Sequence, residues 1–464
     1  MTGGTKVVFI GVDAGDKDLI LHWAEAGALP TFRSLLRRGL RGVTRNPPGL
    51  FVGAIWPSFY TGVSPAKHGR YCYLQLKPGT YDFYSTHTPN FVKREPFWNA
   101  LSRAGRKVAI LDVPHTFPGP LNGIQLVEWG AHDATHGLMS WPASLAREVE
   151  HRFGTHPVPA RCNAERGPME LRILRQQLVT GVSKKADLTG HFLQREDWDF
   201  FAAVFSETHC VGHQCWHLHD ETHPRYNEEV AGFVGDPVKD VYMAIDSAIG
   251  HLLTQIGPKT TAIILCSHGM GPHYDGTFLL DDILRGLENA NAMKEQSDLA
   301  SRKCFPIPNN EVSGAIRINR VGREPNGIIP PGPQYEEFCA TLTRDLLDLV
   351  NPDTDEPLVR EVFRAVDRYD GGYIDHLPDL IVEWNRAKPI SSAYSPKFGV
   401  MRMEYRGRRS GDHKPEGMFI ALGPSIQPGH LERLVSVTDF APTIASLLDV
   451  LLPGVDGKPI EELL

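Results

Sequence analysis

An α/β fold, with a mostly parallel central sheet flanked by helices and a smaller cap built from insertions, is what the sequence predicts. Three observations predict it: short β-branched runs recur along the chain, several are apolar throughout, and helical patterns alternate with them. Strands buried on both faces read as continuous apolar runs, and strand–helix alternation implies a parallel sheet covered on both sides. In chain order the runs are Val7–Val12, Val108–Val113, Phe200–Phe205, Thr260–Cys266, Ala315–Ile318, Leu380–Trp384 and Met418–Leu422. Between them Val238, Val241, Tyr242, Ile245, Ile249 and Leu252 keep one helical face, as do Tyr335, Phe338, Leu342 and Leu346. Asp439, with Pro442 shortly after, marks a further helix start ahead of Ile444, Leu447 and Leu448.

Three segments break this rhythm. Residues 70–95 are rich in Tyr, Pro, Thr and Lys, residues 115–195 are long and irregular, and residues 285–335 end in the cluster Ile328-Ile329-Pro330-Pro331-Gly332-Pro333. Long loops without structure of their own usually serve as lids or binding elements. They are expected as cap insertions on a single domain spanning residues 1–464.

With 464 residues, 41% hydrophobic and 22% charged, the chain can build a sizeable core. Its net charge of −7 argues against a nucleic acid polymer as partner, because no basic surplus exists to neutralise phosphates. A small anionic substrate, which needs only a local positive site such as a metal, stays open. No apolar run approaches the ~20 residues that cross a bilayer, so no membrane partner is expected. The N-terminus runs directly into the first strand rather than reading as a signal peptide. The seven cysteines, Cys72, Cys162, Cys210, Cys215, Cys266, Cys304 and Cys339, include no C-x-x-C pair. This argues against a disulfide framework or cysteine zinc site, and a reduced, cytoplasmic protein is expected. Oligomeric state is not legible.

Ligands in open α/β sheets bind beyond the carboxyl ends of the strands, and four segments place a carboxylate or imidazole there. They are Asp13; the run Ser206 to His213; Ser267-His268; and Gly411-Asp412-His413-Lys414-Pro415, just ahead of the last strand. His209 and His213 are four apart, so one helical turn sets both imidazoles on one face, a common chelating arrangement. Each feature alone is ordinary. Asp13 reads as a helix N-cap, and the five histidines between His209 and His223 as a solvated polar loop. Their convergence points to a metal site.

These segments, together with Trp56-Pro57-Ser58-Phe59-Tyr60-Thr61-Gly62, His68-Gly69, Gly269-Met270, Gly417 to Pro424 and Asp439 to Thr443, resemble the alkaline phosphatase superfamily. The similarity is to its type I phosphodiesterase/nucleotide pyrophosphatase branch. The resemblance implies two metal ions, usually zinc, holding a phosphoryl group against a Thr or Ser nucleophile. One metal takes an Asp and two His; the other takes two Asp, one His and the nucleophile. Asp13, His213, His268 and His413 match these positions, whereas His209 stands for an Asp, Ser267 for an Asp, and Val52 for the nucleophile.

The departures have chemical consequences. One site becomes His209, His213 and His413, whose neutral imidazoles leave the full charge on the ion and favour ionising bound water. The other keeps only Asp13 and His268, which serve as second ligands or as the base acting on that water. One tight divalent metal is therefore expected, zinc first, with iron or manganese as alternatives.

Ser58, in a first helical turn, and Cys210 and Cys72 are the substitute nucleophiles to weigh. Each reads more simply as a capping hydroxyl or a buried thiol. The function expected is metal-dependent hydrolysis of small-molecule phosphoesters, phosphodiester or nucleotide-like, by metal-bound hydroxide without a phospho-enzyme. A three-His metalloenzyme acting on a non-phosphoryl bond and a non-catalytic ligand-binding homologue are the alternatives. Arg402, Arg406, Arg408 and Arg409 are candidates for binding an anion, and Glu207 and Asp275 for orienting the histidines.

Overall fold

The structure, a computed structural model, describes residues 6–132, 134–158, 164–289 and 298–464. Its spine is a nine-stranded sheet. In spatial order the strands are Gly429–Ser436, Leu40–Arg45, Glu416–Leu422, Thr260–Cys266, Lys6–Val12, Phe200–Phe205, Val108–Leu111, Gly123–Val127 and Met139–Trp141. Lys6–Val12 lies at the centre, parallel to both Phe200–Phe205 and Thr260–Cys266. Antiparallel pairing enters where Glu416–Leu422 joins its two neighbours and at the Met139–Trp141 edge. The mostly parallel, helix-flanked sheet expected from the sequence is the fold observed.

Side chains alternate across a strand, and here both faces are apolar. Val8, Ile10 and Val12 pack into one core under the helices Pro168–Leu193, Glu207–His219 and Pro237–Leu253. Val7 and Phe9 pack into the other, under Phe51–Thr61, Phe97–Arg103 and Phe440–Leu447. Leu40–Arg45 and Gly429–Ser436 escape the sequence reading because each has one polar, partly exposed face and shows no apolar run.

The three segments expected as insertions behave differently from one another. Residues 74–76 and 83–85 form a hairpin, while residues 123–127 and 139–141 add two strands to the central sheet. Cys304–Pro306, Ser313–Ile318, Leu380–Trp384 and Val359–Arg364 build a separate antiparallel sheet with its own core beneath Leu280–Glu288 and Pro333–Leu347. Parts of the second and third segments, residues 133, 159–163 and 290–297, lie outside the described residues. Cys210 is disulfide-bonded, against the fully reduced cysteine set expected. No helix among the described residues is long and apolar enough to cross a membrane.

The second sheet is pinned by Asp379. Its carboxylate accepts hydrogen bonds from Arg323 Nη1 (2.9 Å) and Nη2 (2.6 Å), Tyr335 Oη (2.7 Å) and Ile318 N (2.7 Å). Burial pushes its pKa up, but Arg323, Arg317 and the Ile318 N–H together outweigh burial and hold it below the usual carboxylate value. A depressed folded-state pKa stabilises above the unfolded value and is lost as pH falls through the folded one. Asp379→Ala leaves Arg323 buried without that partner and is expected to cost about 3–5 kcal/mol. Denaturant unfolding at neutral pH checks this, and the gap to the parent should narrow on strong acidification.

Candidate metal and active site

Two tight backbone features set the site at the sheet's carboxyl edge. Residues after the two parallel strands Lys6–Val12 and Val108–Leu111 enter the left-handed region, Ala14 at φ 55° and Asp112 at φ 53°. Side chains are strained there, and such strain collects at functional positions. A Cβ on Gly411 would lie 2.4 Å from the Gly212 carbonyl oxygen, and one on Gly212 2.6 Å from Met270 Cγ. Glycine at both places lets the Glu207–His219 helix close onto the Gly411–Lys414 strand, which pairs with Gly269–Pro272. That approach brings His213 against His413.

Hydrogen-bond accounting assigns the ring protons of this cluster. Ser267 Oγ donates to Asp13 Oδ1 (3.0 Å) and so accepts from His268 Nδ1 (2.9 Å). His268 Nε2 is then left to accept from His413 Nδ1 at 2.9 Å. His213 Nδ1 donates to the Gly411 carbonyl at 2.8 Å. The two remaining lone pairs, on His213 Nε2 and His413 Nε2, face each other across 3.2 Å. Two such lone pairs repel, but nitrogens 2.0–2.1 Å from a tetrahedral zinc lie roughly 3.3 Å apart. His209 completes the group, its ring centroid 4.6 Å from that of His213 and 4.9 Å from that of His413, and its Nδ1 has no hydrogen-bond partner.

Burial above all, with neighbouring charges and imidazoles adding to it, keeps His209, His213 and His413 well below the usual imidazole pKa. They are neutral at neutral pH, the form that ligates. The donor set therefore fits a divalent cation. His268, expected as a second ligand or as the base, has both ring nitrogens engaged in this structure, Nδ1 with Ser267 and Nε2 with His413.

Asp13 is anchored through Oδ1 by Ser267 and by Trp56 Nε1 at 2.8 Å. Its Oδ2 lies 3.2 Å from His132 Nδ1, close enough to attract but not aligned as a hydrogen bond. The His132 ring stacks on His209, centroids 3.7 Å apart. Asp13, His132 and His209 thus form a second group with converging donor atoms, sharing His209 with the first.

His132 was not singled out in the sequence. The signal lay in the Gly123–Val127 strand, whose carboxyl end leads to it. The loop is held from below, because Asp112 accepts from Trp129 N (2.9 Å) and Gly130 N (2.8 Å) and pairs with buried Lys185 Nζ at 2.7 Å.

The group opens into a cavity of about 460 Å³ lined in part by Val52, Arg70, His87, His132, His209 and Arg409. Val52 occupies the wall where the resemblance placed a nucleophile. Ser58 is fully buried and engaged with His68 Nε2 at 3.0 Å, and it is not among the cavity's lining residues. Cys210 is disulfide-bonded, which removes its thiol as a nucleophile. Arg70, 2% exposed, falls to about 10 by burial and stays charged at neutral pH.

Of the arginine run, Arg409 reaches the cavity, while Arg408 and Arg402 pair with Glu165 and Asp353. Glu207 pairs with His156 at 3.0 Å and Asp275 with His273 at 3.0 Å, so neither orients the three-His group directly.

A family model described as type I phosphodiesterase / nucleotide pyrophosphatase matches residues 7–415. No curated protein matches in sequence. Among solved structures, phosphonoacetate hydrolase from Sinorhizobium meliloti in complex with phosphonoformate superposes with a TM-score of 0.59 at 14% identity, over 96% of each chain. An inactive variant of murine ectonucleotide pyrophosphatase / phosphodiesterase 5, in complex with AMP, gives 0.54 at 12% identity over 98% of this chain and 97% of that one. Alkaline phosphatase PafA gives 0.53 at 14% identity over 100% and 99%. At these identities the likeness carries the fold.

Proposed function

Because the chain belongs to the type I phosphodiesterase / nucleotide pyrophosphatase family, we propose that it hydrolyses small-molecule phosphoesters, with phosphodiesters or nucleotide-like compounds favoured. His209, His213 and His413 would hold one tight divalent cation for this reaction, zinc first. The observation that carries this reading is the pair of facing imidazole lone pairs beside a cavity that also presents two guanidinium groups. Such a cation supplies charge for a phosphoryl oxygen and acidifies water.

The chain's own residues do the rest. Arg70 and Arg409 bind the anionic oxygens. Val52 offers no nucleophile, so water attacks phosphorus and the ester oxygen leaves in one displacement. His132 accepts the attacking water's proton, and Asp13 Oδ2 stabilises the resulting imidazolium.

Turnover of bis(4-nitrophenyl) phosphate by the metal-loaded protein, with no phospho-enzyme trapped on acid quench, is the expected result. A trapped covalent adduct would overturn the water-attack route. Bound metal without turnover of phosphodiesters, phosphomonoesters or sulfate esters would move the chemistry to a non-phosphoryl bond. Because Asp13 acts through His132, Asp13→Asn is expected to lower kcat by up to the roughly 10²–10⁴-fold that base catalysis by His132 contributes, with metal content unchanged. Loss of metal in that variant would instead make Asp13 a ligand.

A further inference from the structure

A further cluster of ligating groups gathers where the Gly269–Pro272 strand ends beside its partner Gly411–Lys414, which carries His413. His273 follows the Gly269–Pro272 strand and Asp412 belongs to its partner strand. The side chains of His273, Asp275 and Asp412 are 4%, 1% and 1% exposed. Each aspartate uses Oδ1 on the backbone, Asp275 accepting from Thr277 N at 3.0 Å and Asp412 from His413 N at 2.8 Å. Each leaves Oδ2 buried with no hydrogen-bond partner.

Both oxygens face His273 Nε2, Asp275 paired with it at 3.0 Å and Asp412, the less well served of the two, at 3.7 Å. Glu311 Oε2 closes the third side at 2.9 Å and also accepts from Tyr405 Oη at 2.7 Å. Buried carboxylate oxygens without donors are costly. One imidazole with three carboxylates is a set that suits manganese or zinc, whereas calcium and magnesium favour oxygen alone.

We propose that His273, Asp275, Asp412 and Glu311 form a further divalent-cation site, distinct from the three-His group, that clamps the strand carrying His413 to the Gly269–Pro272 strand that follows His268. With neutral His273, a dication and the Arg409 guanidinium 3.9 Å from Asp412 balance the three carboxylates. The clamp fixes Asp412, whose Oδ1 holds the His413 backbone N–H, and so steadies a ligand of the neighbouring group. The competing arrangement is ion-free, with protonated His273 bridging Asp275 and Glu311.

Mn²⁺ binding to the full-length protein separates the two. In His213→Ala, which lacks the three-His set, one equivalent of Mn²⁺ is expected to remain bound. It should be lost when His273→Gln is added. In the wild-type chain the spin-echo modulation of one bound Mn²⁺ should show coupling to a single imidazole nitrogen, a readout that needs no variant to fold. Absence of any single-nitrogen Mn²⁺, or a Mn²⁺ content unchanged by His273→Gln, overturns the proposal in favour of the ion-free bridge.

Discussion

His213→Ala is expected to remove the cation from the three-His group and to lower kcat/KM for a phosphodiester by about 10³-fold or more. At 1.36 kcal/mol per decade this is ~4 kcal/mol of transition-state stabilisation, within the several kcal/mol that a metal ion supplies. His213 is fully buried, its Nδ1 fixed on the Gly411 carbonyl and its Nε2 facing His413. Elemental analysis beside the activity assay checks both parts of the effect. Millimolar imidazole should restore part of each, which a simple packing defect would not allow. A variant that keeps its metal and its rate would remove the three-His site from the mechanism.

Lys185→Met is expected to destabilise the fold by about 3–5 kcal/mol, the cost of leaving one member of a buried ion pair alone. Lys185 Nζ donates to the Val204 carbonyl at 2.9 Å and to the Gly130 carbonyl at 3.2 Å besides pairing with Asp112 at 2.7 Å. Side chains of both partners are about as buried as any in the molecule, 2% and 1% exposed. Methionine fills the volume but leaves the Asp112 carboxylate to its two backbone donors. Thermal or denaturant unfolding reads the loss. The double variant Lys185→Met with Asp112→Asn should recover only part of it, because no unpaired charge then remains but the amide offers one acceptor oxygen to two backbone N–H groups. Since Asp112 carries Trp129 and Gly130, the single variant should also slow turnover through His132. Its metal content should stay the same.

The legible parts of this protein are those written in local spacing. The central strands, from Val7–Val12 to Met418–Leu422, show as apolar runs because both of their faces are buried. The i, i+4 pair His209 and His213 declares a shared helix face without any tertiary information. The edge strand Gly429–Ser436 shows no apolar run because most of its positions meet solvent. His132 was missed for a related reason. It follows a five-residue strand inside a segment that reads as irregular, and its partners Asp13 and His209 are far away in sequence.

Composition, strand periodicity and motif order by themselves determined the fold class, the family and the identity of His209, His213 and His413 as a group. Only the tertiary structure decided how each group is used, because lone-pair direction depends on partners hundreds of residues apart. Ser267, bound to Asp13, sets the tautomer of His268 and leaves its Nε2 facing His413. The same dependence puts His132 beside Asp13, buries Ser58 against His68 and draws Asp275 to Asp412 around His273. Local sequence fixes which donors exist, but chain crossing fixes which lone pairs are left to bind.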